Sequence, residues 1–139
     1  MKDSLEKNTV AELIRYRMQR ARETLVEAQY NAKGGYFNAA VNRLYYACFY
    51  AALALMLSEG IEANTHKGVK VMLALHFINQ GKMDKKFGSY YQQLFNNRQA
   101  GDYEDFVYCD NELYTDLYPK AEAFVSNISS LLNPAEPDI

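Results

Sequence analysis

Arg43 and Arg98 are the two residues of this sequence whose surroundings ask for chemistry. Arg43 stands second in the run Asn42-Arg-Leu-Tyr-Tyr-Ala-Cys-Phe-Tyr-Ala-Ala-Leu-Ala-Leu-Met-Leu57, which is otherwise almost wholly apolar. A guanidinium buried there needs a carboxylate or an anionic ligand. The plain alternative is an exposed helix end with the arginine stem packed on Tyr46. Arg98 comes four residues after Leu94, seven after Tyr91 and eleven after Phe87, so it continues an apolar helical stripe. Either it binds an anion at the edge of a groove, or it is a helix C-terminal cation favoured by the macrodipole and paired with Asp102.

The two histidines differ in context. His66 follows Thr65, a suitable N-cap, and so sits at the positive end of a helix, where backbone N–H groups can receive an anion. His76 falls on the side of Val69, Met72 and Leu73 and reads as a core or rim residue. No set of ligands has the spacing of a metal site, so neither metal nor cofactor is expected. The sequence also lacks H-E-x-x-H, G-x-S-x-G and a phosphate-binding glycine loop. The chain has 12 tyrosines and no tryptophan. Pairs such as Tyr45-Tyr46 and Tyr90-Tyr91 can stack on bases, or lie at a core boundary with wet hydroxyls.

The elements that must position these residues are helical throughout. Thr9-Val-Ala-Glu12 has capping-box form and predicts a helix from there to about Lys33, with Val10, Ile14, Met18, Ala21, Leu25 and Ala28 inward and Gly34-Gly35 as its stop. A second helix is predicted from about Asn38 to Gly60. Its main core face is Val41, Leu44, Tyr45, Cys48, Ala52 and Leu55, with Arg43, Tyr46, Tyr50 and Leu57 opposite. Being apolar nearly all round, it is either the central helix of a bundle or covered by a second chain at Ala47, Ala51 and Ala54. A third helix is predicted after Thr65, ending at Gly81. A fourth starts at Asp84, carries Phe87, Tyr91, Leu94 and Phe95 on one side, and is interrupted at Gly101. A fifth runs from about Asp110 to Leu132 on the stripe Leu113, Leu117, Ala121, Phe124, Ile128 and Leu131. Pro119 should kink or split it, because proline removes a donor and clashes with the preceding turn. The expected fold is an all-α antiparallel bundle of four to five helices. It forms one domain over residues 1–139, with its core at about 9–132 and a frayed tail at 133–139.

The chain has 139 residues, about half of them hydrophobic, which suffices for a core and excludes wholesale disorder. The net charge of −2 excludes the strongly basic chain of a dedicated duplex-DNA binder. That small net charge hides an asymmetry: residues 1–33 carry +2, residues 34–98 carry +4, and residues 99–139 carry −8. Such polarity suits an anionic ligand on one face or head-to-tail packing, and equally a plain solvated surface. Cys48 and Cys109 have no pairing pattern, so a reducing compartment is expected. The longest charge-free run, Leu44 to Ser58, is 15 residues, short of the ~20 a spanning helix needs. With no secretory signal evident, a cytoplasmic protein away from membranes is expected.

Taken in order, Asn42-Arg43-Leu-Tyr45-Tyr46-Ala-Cys-Phe49-Tyr50-Ala-Ala, Thr65-His66-Lys67-Gly68, Arg98-Gln-Ala-Gly-Asp102-Tyr103 and Ala121-Glu-Ala-Phe124-Val125 resemble the HEPN domain family, over roughly residues 10–132. The likeness is strongest to its small stand-alone prokaryotic branch. The resemblance implies a helical bundle that dimerises and a role connected with nucleotides or RNA. Often such a chain is one half of a toxin–antitoxin pair with a minimal nucleotidyltransferase. Ribonuclease members resemble one another in an arginine followed, after four to six residues, by a histidine. Arg98 matches that arginine, but Tyr103 stands where the histidine is expected, and a phenol near its usual pKa of about 10 is a poor general base at neutral pH. The position of the family's modified tyrosine, two residues past its histidine, is here Asp105.

The sequence therefore predicts a binding or regulatory module for a nucleotide or RNA phosphate, with Arg98, Asp102, Arg43 and Tyr46 as ligand-binding residues. A homodimer and a minimal nucleotidyltransferase are the expected partners. Two alternatives stand beside it. One is a metal-independent ribonuclease toxin with a degenerate Arg-x4-Tyr motif, drawing on Arg98, Tyr103 and His66. The other is a purely structural interaction subunit.

Overall fold

The computed structural model describes residues 2–98 and 108–133, with side chains from residue 8 onward. These residues form an all-α bundle of five helices, and no strand occurs among them. The helices are α1 (Lys2–Lys33), α2 (Phe37–Ser58), α3 (His66–Leu73), α4 (Lys85–Asn96) and α5 (Asn111–Leu132), and a π-helical turn (Ala74–Ile78) continues α3.

α2 is the central helix, packed against all four others. Its predicted core face is buried, and so are Ala40, Ala47, Ala51, Ala54 and Met56. The bundle itself therefore covers the alanine stripe. By length and composition alone α2 would qualify to cross a membrane, but most of that stretch lies inside the protein. α1 folds back on α2 through Gly34 and Gly35. Gly35 has φ +81°, a left-handed conformation that suits glycine at a helix end. On α1, Met18, Ala21, Leu25 and Ala28 are buried, whereas Val10 is 38% exposed, so the inward stripe fades toward the N-terminus.

α3, α4 and α5 start from side-chain caps, whereas α2 starts after Tyr36 without one. Thr65 Oγ1 accepts from Gly68 N at 2.9 Å, Asp84 Oδ1 from Lys86 N at 2.9 Å, and Asp110 Oδ1 from Leu113 N at 2.9 Å. Gly68 matters for the first of these, because a Cβ there would lie 2.9 Å from the Thr65 hydroxyl oxygen.

Three expectations are corrected. Thr9 does not cap α1, which begins at Lys2 and runs through it; with no glycine or proline before Gly34, nothing local stops the helix. The third helix does not stay α-helical to Gly81. Asn79 N bonds to Ala74 O at 2.8 Å, the five-residue spacing of a π turn, and both Lys82 N and Met83 N turn back to Phe77 O. The wider turn places Phe77 in the core. Pro119 does not split α5, whose buried residues Leu117, Ala121, Phe124, Val125 and Ile128 straddle it. At the far end Leu131 is 36% exposed and leaves the stripe. The expected interruption at Gly101 and the frayed tail beyond Asn133 lie outside the described residues.

Candidate anion-binding site

Tyr45, fully buried on α2, is the hub of an aromatic cluster. Its ring centroid lies 5.2 Å from Tyr46, 5.9 Å from Phe49, 5.7 Å from His66, 5.8 Å from Tyr91 and 6.1 Å from Phe95. α2, the start of α3 and the end of α4 thus converge there. The phenols are joined as well as packed. Tyr91 Oη donates to Tyr45 Oη at 3.5 Å, and Tyr45 Oη lies 2.8 Å from His66 Nδ1. Burial pushes the Tyr45 phenol up to about 12, with the Tyr91 hydrogen bond and the Arg98 charge pulling the other way. Tyr91 is held well above its ordinary value, again chiefly by burial. Both are therefore neutral hydroxyls at physiological pH.

The cations sit around this cluster. The Arg98 guanidinium lies 4.1 Å over the Phe95 ring and donates from Nη1 to Phe95 O at 3.1 Å. It is thus a C-terminal cation on its own helix, and its charge also reaches Tyr45. Lys70 from α3 puts Nζ 4.5 Å from the centroid of the same Phe95 ring. On α2, Arg43 lies 4.8 Å over Tyr46, donates to Asn42 Oδ1 at 3.0 Å and faces Glu27 Oε1 at 3.8 Å. Glu27 is shared with Arg20, at 3.5 Å. Such half-exposed pairs contribute little to stability, on the order of 0–1 kcal/mol. Arg43 combines its two predicted alternatives, since it packs on Tyr46 and also meets a carboxylate.

The link between the two arginines is Asn42. Its Nδ2 donates to Arg98 O at 2.7 Å, tying the first turns of α2 to the end of α4. A second tie lies one turn earlier, where Cys109 N donates to Asn38 Oδ1 at 2.7 Å. Arg98 and Cys109 are thus both held to the start of α2. Asp102 and Tyr103 fall between, outside the described residues.

Of the residues singled out from sequence, Arg43, Tyr46, His66 and Arg98 come together at this end of the bundle. His76 is half-buried in the π-helical turn, away from this aromatic cluster. Asn42 and Lys70 were missed as site residues. The sequence carries little signal for Asn42, which the helical period puts on the flank of the α2 core face; it is buried only because the end of α4 covers it. Lys70 lies four residues after His66 and so shares its helix face. No group of three histidine, cysteine, aspartate or glutamate side chains stands close enough to hold a metal among the described residues. A groove of about 390 Å³ between α3, the π turn and α4 is bordered by Lys70 and Tyr91.

Known proteins share this arrangement of helices. The crystal structure of TT1696 from Thermus thermophilus superposes with a TM-score of 0.73, covering 84% of this chain and 96% of that one at 17% identity. In sequence, a UPF0332 protein of Thermotoga maritima is 37% identical over 90% of this chain and 95% of its own. A protein of Methanocaldococcus jannaschii described as a candidate toxin is 32% identical over 95% of this chain and 97% of its own. A second candidate toxin of that organism is 28% identical over 83% of this chain and 78% of its own. The sequence profile of the HEPN domain matches residues 14–131. With that match spanning most of the bundle, the chain belongs to the HEPN domain family.

Proposed function

We propose that this HEPN protein is a binding module for the phosphate of a nucleotide or RNA, acting within a toxin–antitoxin-like pair. The observation that carries the reading is the Asn42 bridge to the Arg98 carbonyl, which draws Arg98 to the start of α2 beside Arg43. Each guanidinium lies over an aromatic ring, and Lys70 adds a third cation at Phe95. Stacked guanidinium groups with in-plane donors suit phosphate oxygens, and neighbouring rings suit bases. Asp102 belongs to the same reading by its place in the sequence, four residues after Arg98, and lies outside the described residues. The candidate-toxin relatives support the toxin setting. Family membership supports a homodimer and a minimal nucleotidyltransferase as partners. The test is direct: a labelled single-stranded oligoribonucleotide binds the wild-type chain and binds Arg98→Ala at least about tenfold more weakly, the loss expected for a charge-assisted contact. Equal binding by both would end the proposal.

A second reading has one observation in its favour. His66 lies on the Tyr45 cluster that Arg98 also approaches, so a histidine and a phosphate-holding arginine share one end of the bundle. This would be a metal-independent ribonuclease in which His66, not Tyr103, moves the proton. RNA cleavage by pure protein in a chelator, lost in both Arg98→Ala and His66→Ala, would favour it. No cleavage by the wild type would remove it.

A further inference from the structure

His66 has a ring nitrogen directed at a buried hydroxyl that itself accepts a hydrogen bond. Tyr91 Oη donates to Tyr45 Oη at 3.5 Å, and Tyr45 Oη lies 2.8 Å from His66 Nδ1. A phenol has one proton. Its oxygen can accept twice, but with the Tyr91 proton already on it an Nδ1–H would leave the buried Tyr45 proton without an acceptor, which favours Tyr45 donating to Nδ1. The ring is held in place from two sides: its centroid lies 4.4 Å from that of Phe49, and the Thr65 cap fixes the turn that carries it.

We propose that Tyr91 and Tyr45 form a donor relay that fixes neutral His66 as the tautomer protonated on Nε2. Nδ1 is then always an acceptor, and Nε2, on the opposite side of the ring, is always a donor. Tyr45 and Tyr91 are positioning residues, acting through the histidine. The inference rests on the phosphate-binding reading in one respect, namely that an N–H donor on a neutral ring suits an anion without needing a protonated imidazole. It also bears on the ribonuclease reading. A neutral Nε2–H ring cannot take a proton at that nitrogen and is far too weak an acid to give one up. In its resting form His66 therefore offers a hydrogen bond only, and the acid role would require the imidazolium.

Nitrogen NMR of the ligand-free chain reads the tautomer, because protonated and unprotonated ring nitrogens have well-separated shifts. The chain has two histidines, so His76 serves as the internal reference. Above the histidine titration range, the expected spectrum shows His66 with a pyrrole-like Nε2 and a pyridine-like Nδ1. In Tyr45→Phe the ring should relax to a mixture of tautomers, with a smaller shift of the same sign in Tyr91→Phe, whose Tyr45 hydroxyl is retained. His76 should move in neither. A wild-type His66 protonated on Nδ1, or a spectrum unchanged in Tyr45→Phe, would overturn the proposal. Should Tyr45→Phe fail to fold, the wild-type spectrum and Tyr91→Phe still decide it. Oligoribonucleotide binding is measured separately on the same proteins. Its absence in the wild type would remove the phosphate reading, while the relay would still stand or fall on the nitrogen shifts.

Discussion

The Asn42 side-chain amide donates to the main-chain carbonyl of Arg98 at 2.7 Å, across 56 residues of sequence. Asn42 is only 7% exposed, so this bond satisfies a buried amide while it fixes where α4 ends. It also sets the spacing between Arg98 and Arg43, since the Asn42 side-chain carbonyl oxygen accepts from Arg43. Asn42→Ala should cost about 1–3 kcal/mol of stability, because it strands a carbonyl and opens a gap. It should also weaken oligoribonucleotide binding without removing a charge. Denaturant unfolding and binding titrations read the two effects. A stable variant with unaltered binding would separate this bond from the site.

The buried phenols give a pH dependence with a definite sign. Tyr45 is raised to about 12 when folded, against about 10 when unfolded. The unfolded phenol ionises first as pH rises. The contribution of neutral Tyr45 is therefore complete below pH about 10 and is lost between about 10 and 12, by at most about 3 kcal/mol. Tyr91 acts in the same direction. Stability measured across that window should fall less in Tyr45→Phe than in the wild type. The ultraviolet tyrosinate titration should lose a late component. Equal alkaline slopes in both proteins would contradict this.

Thr65 and Gly68 should behave as a coupled pair. Thr65→Ala removes a cap and should cost about 1 kcal/mol. Gly68→Ala places a methyl group against the Thr65 hydroxyl and should be destabilising on its own. Once the hydroxyl is gone the methyl has room, so the double variant should be more stable than the sum of the single changes predicts. Strict additivity in a double-mutant cycle would show that the contact relaxes at no cost.

Both cysteines should resist modification in the native protein. Cys48 is fully buried, with Sγ 3.7 Å from Ala121 O, and burial raises its thiol far above the ordinary range. Cys109 is 4% exposed and is raised by burial and by Asp110. Labelling by a thiol reagent should be slow until denaturant is added, when two thiols react. Rapid labelling of either in the native state would contradict their placement.

What the sequence reveals divides along local and tertiary lines. The caps at Thr65, Asp84 and Asp110 are legible because their chemistry is complete within three residues. The central role of α2 is legible because a helix apolar on all sides has to be covered. The π turn is not, because its bonds from Asn79 to Ala74 and from Lys82 and Met83 to Phe77 belong to Phe77 finding the core. Thr9 misleads because a capping pattern is permissive, and nothing before it breaks the helix. At the site, Arg43 and Arg98 stand out as charges on apolar stripes. Asn42 does not, because its role exists only once α4 is folded against it.

The measurement that bears most directly on the central claim is oligoribonucleotide binding by wild type and Arg98→Ala at several salt concentrations. A phosphate contact releases counterions, so the wild-type affinity should fall with salt, and Arg98→Ala should be at least about tenfold weaker with a slope shallower by about 0.7. An Arg98→Ala protein that folds and binds with wild-type affinity and slope would contradict the assignment of this site to phosphate.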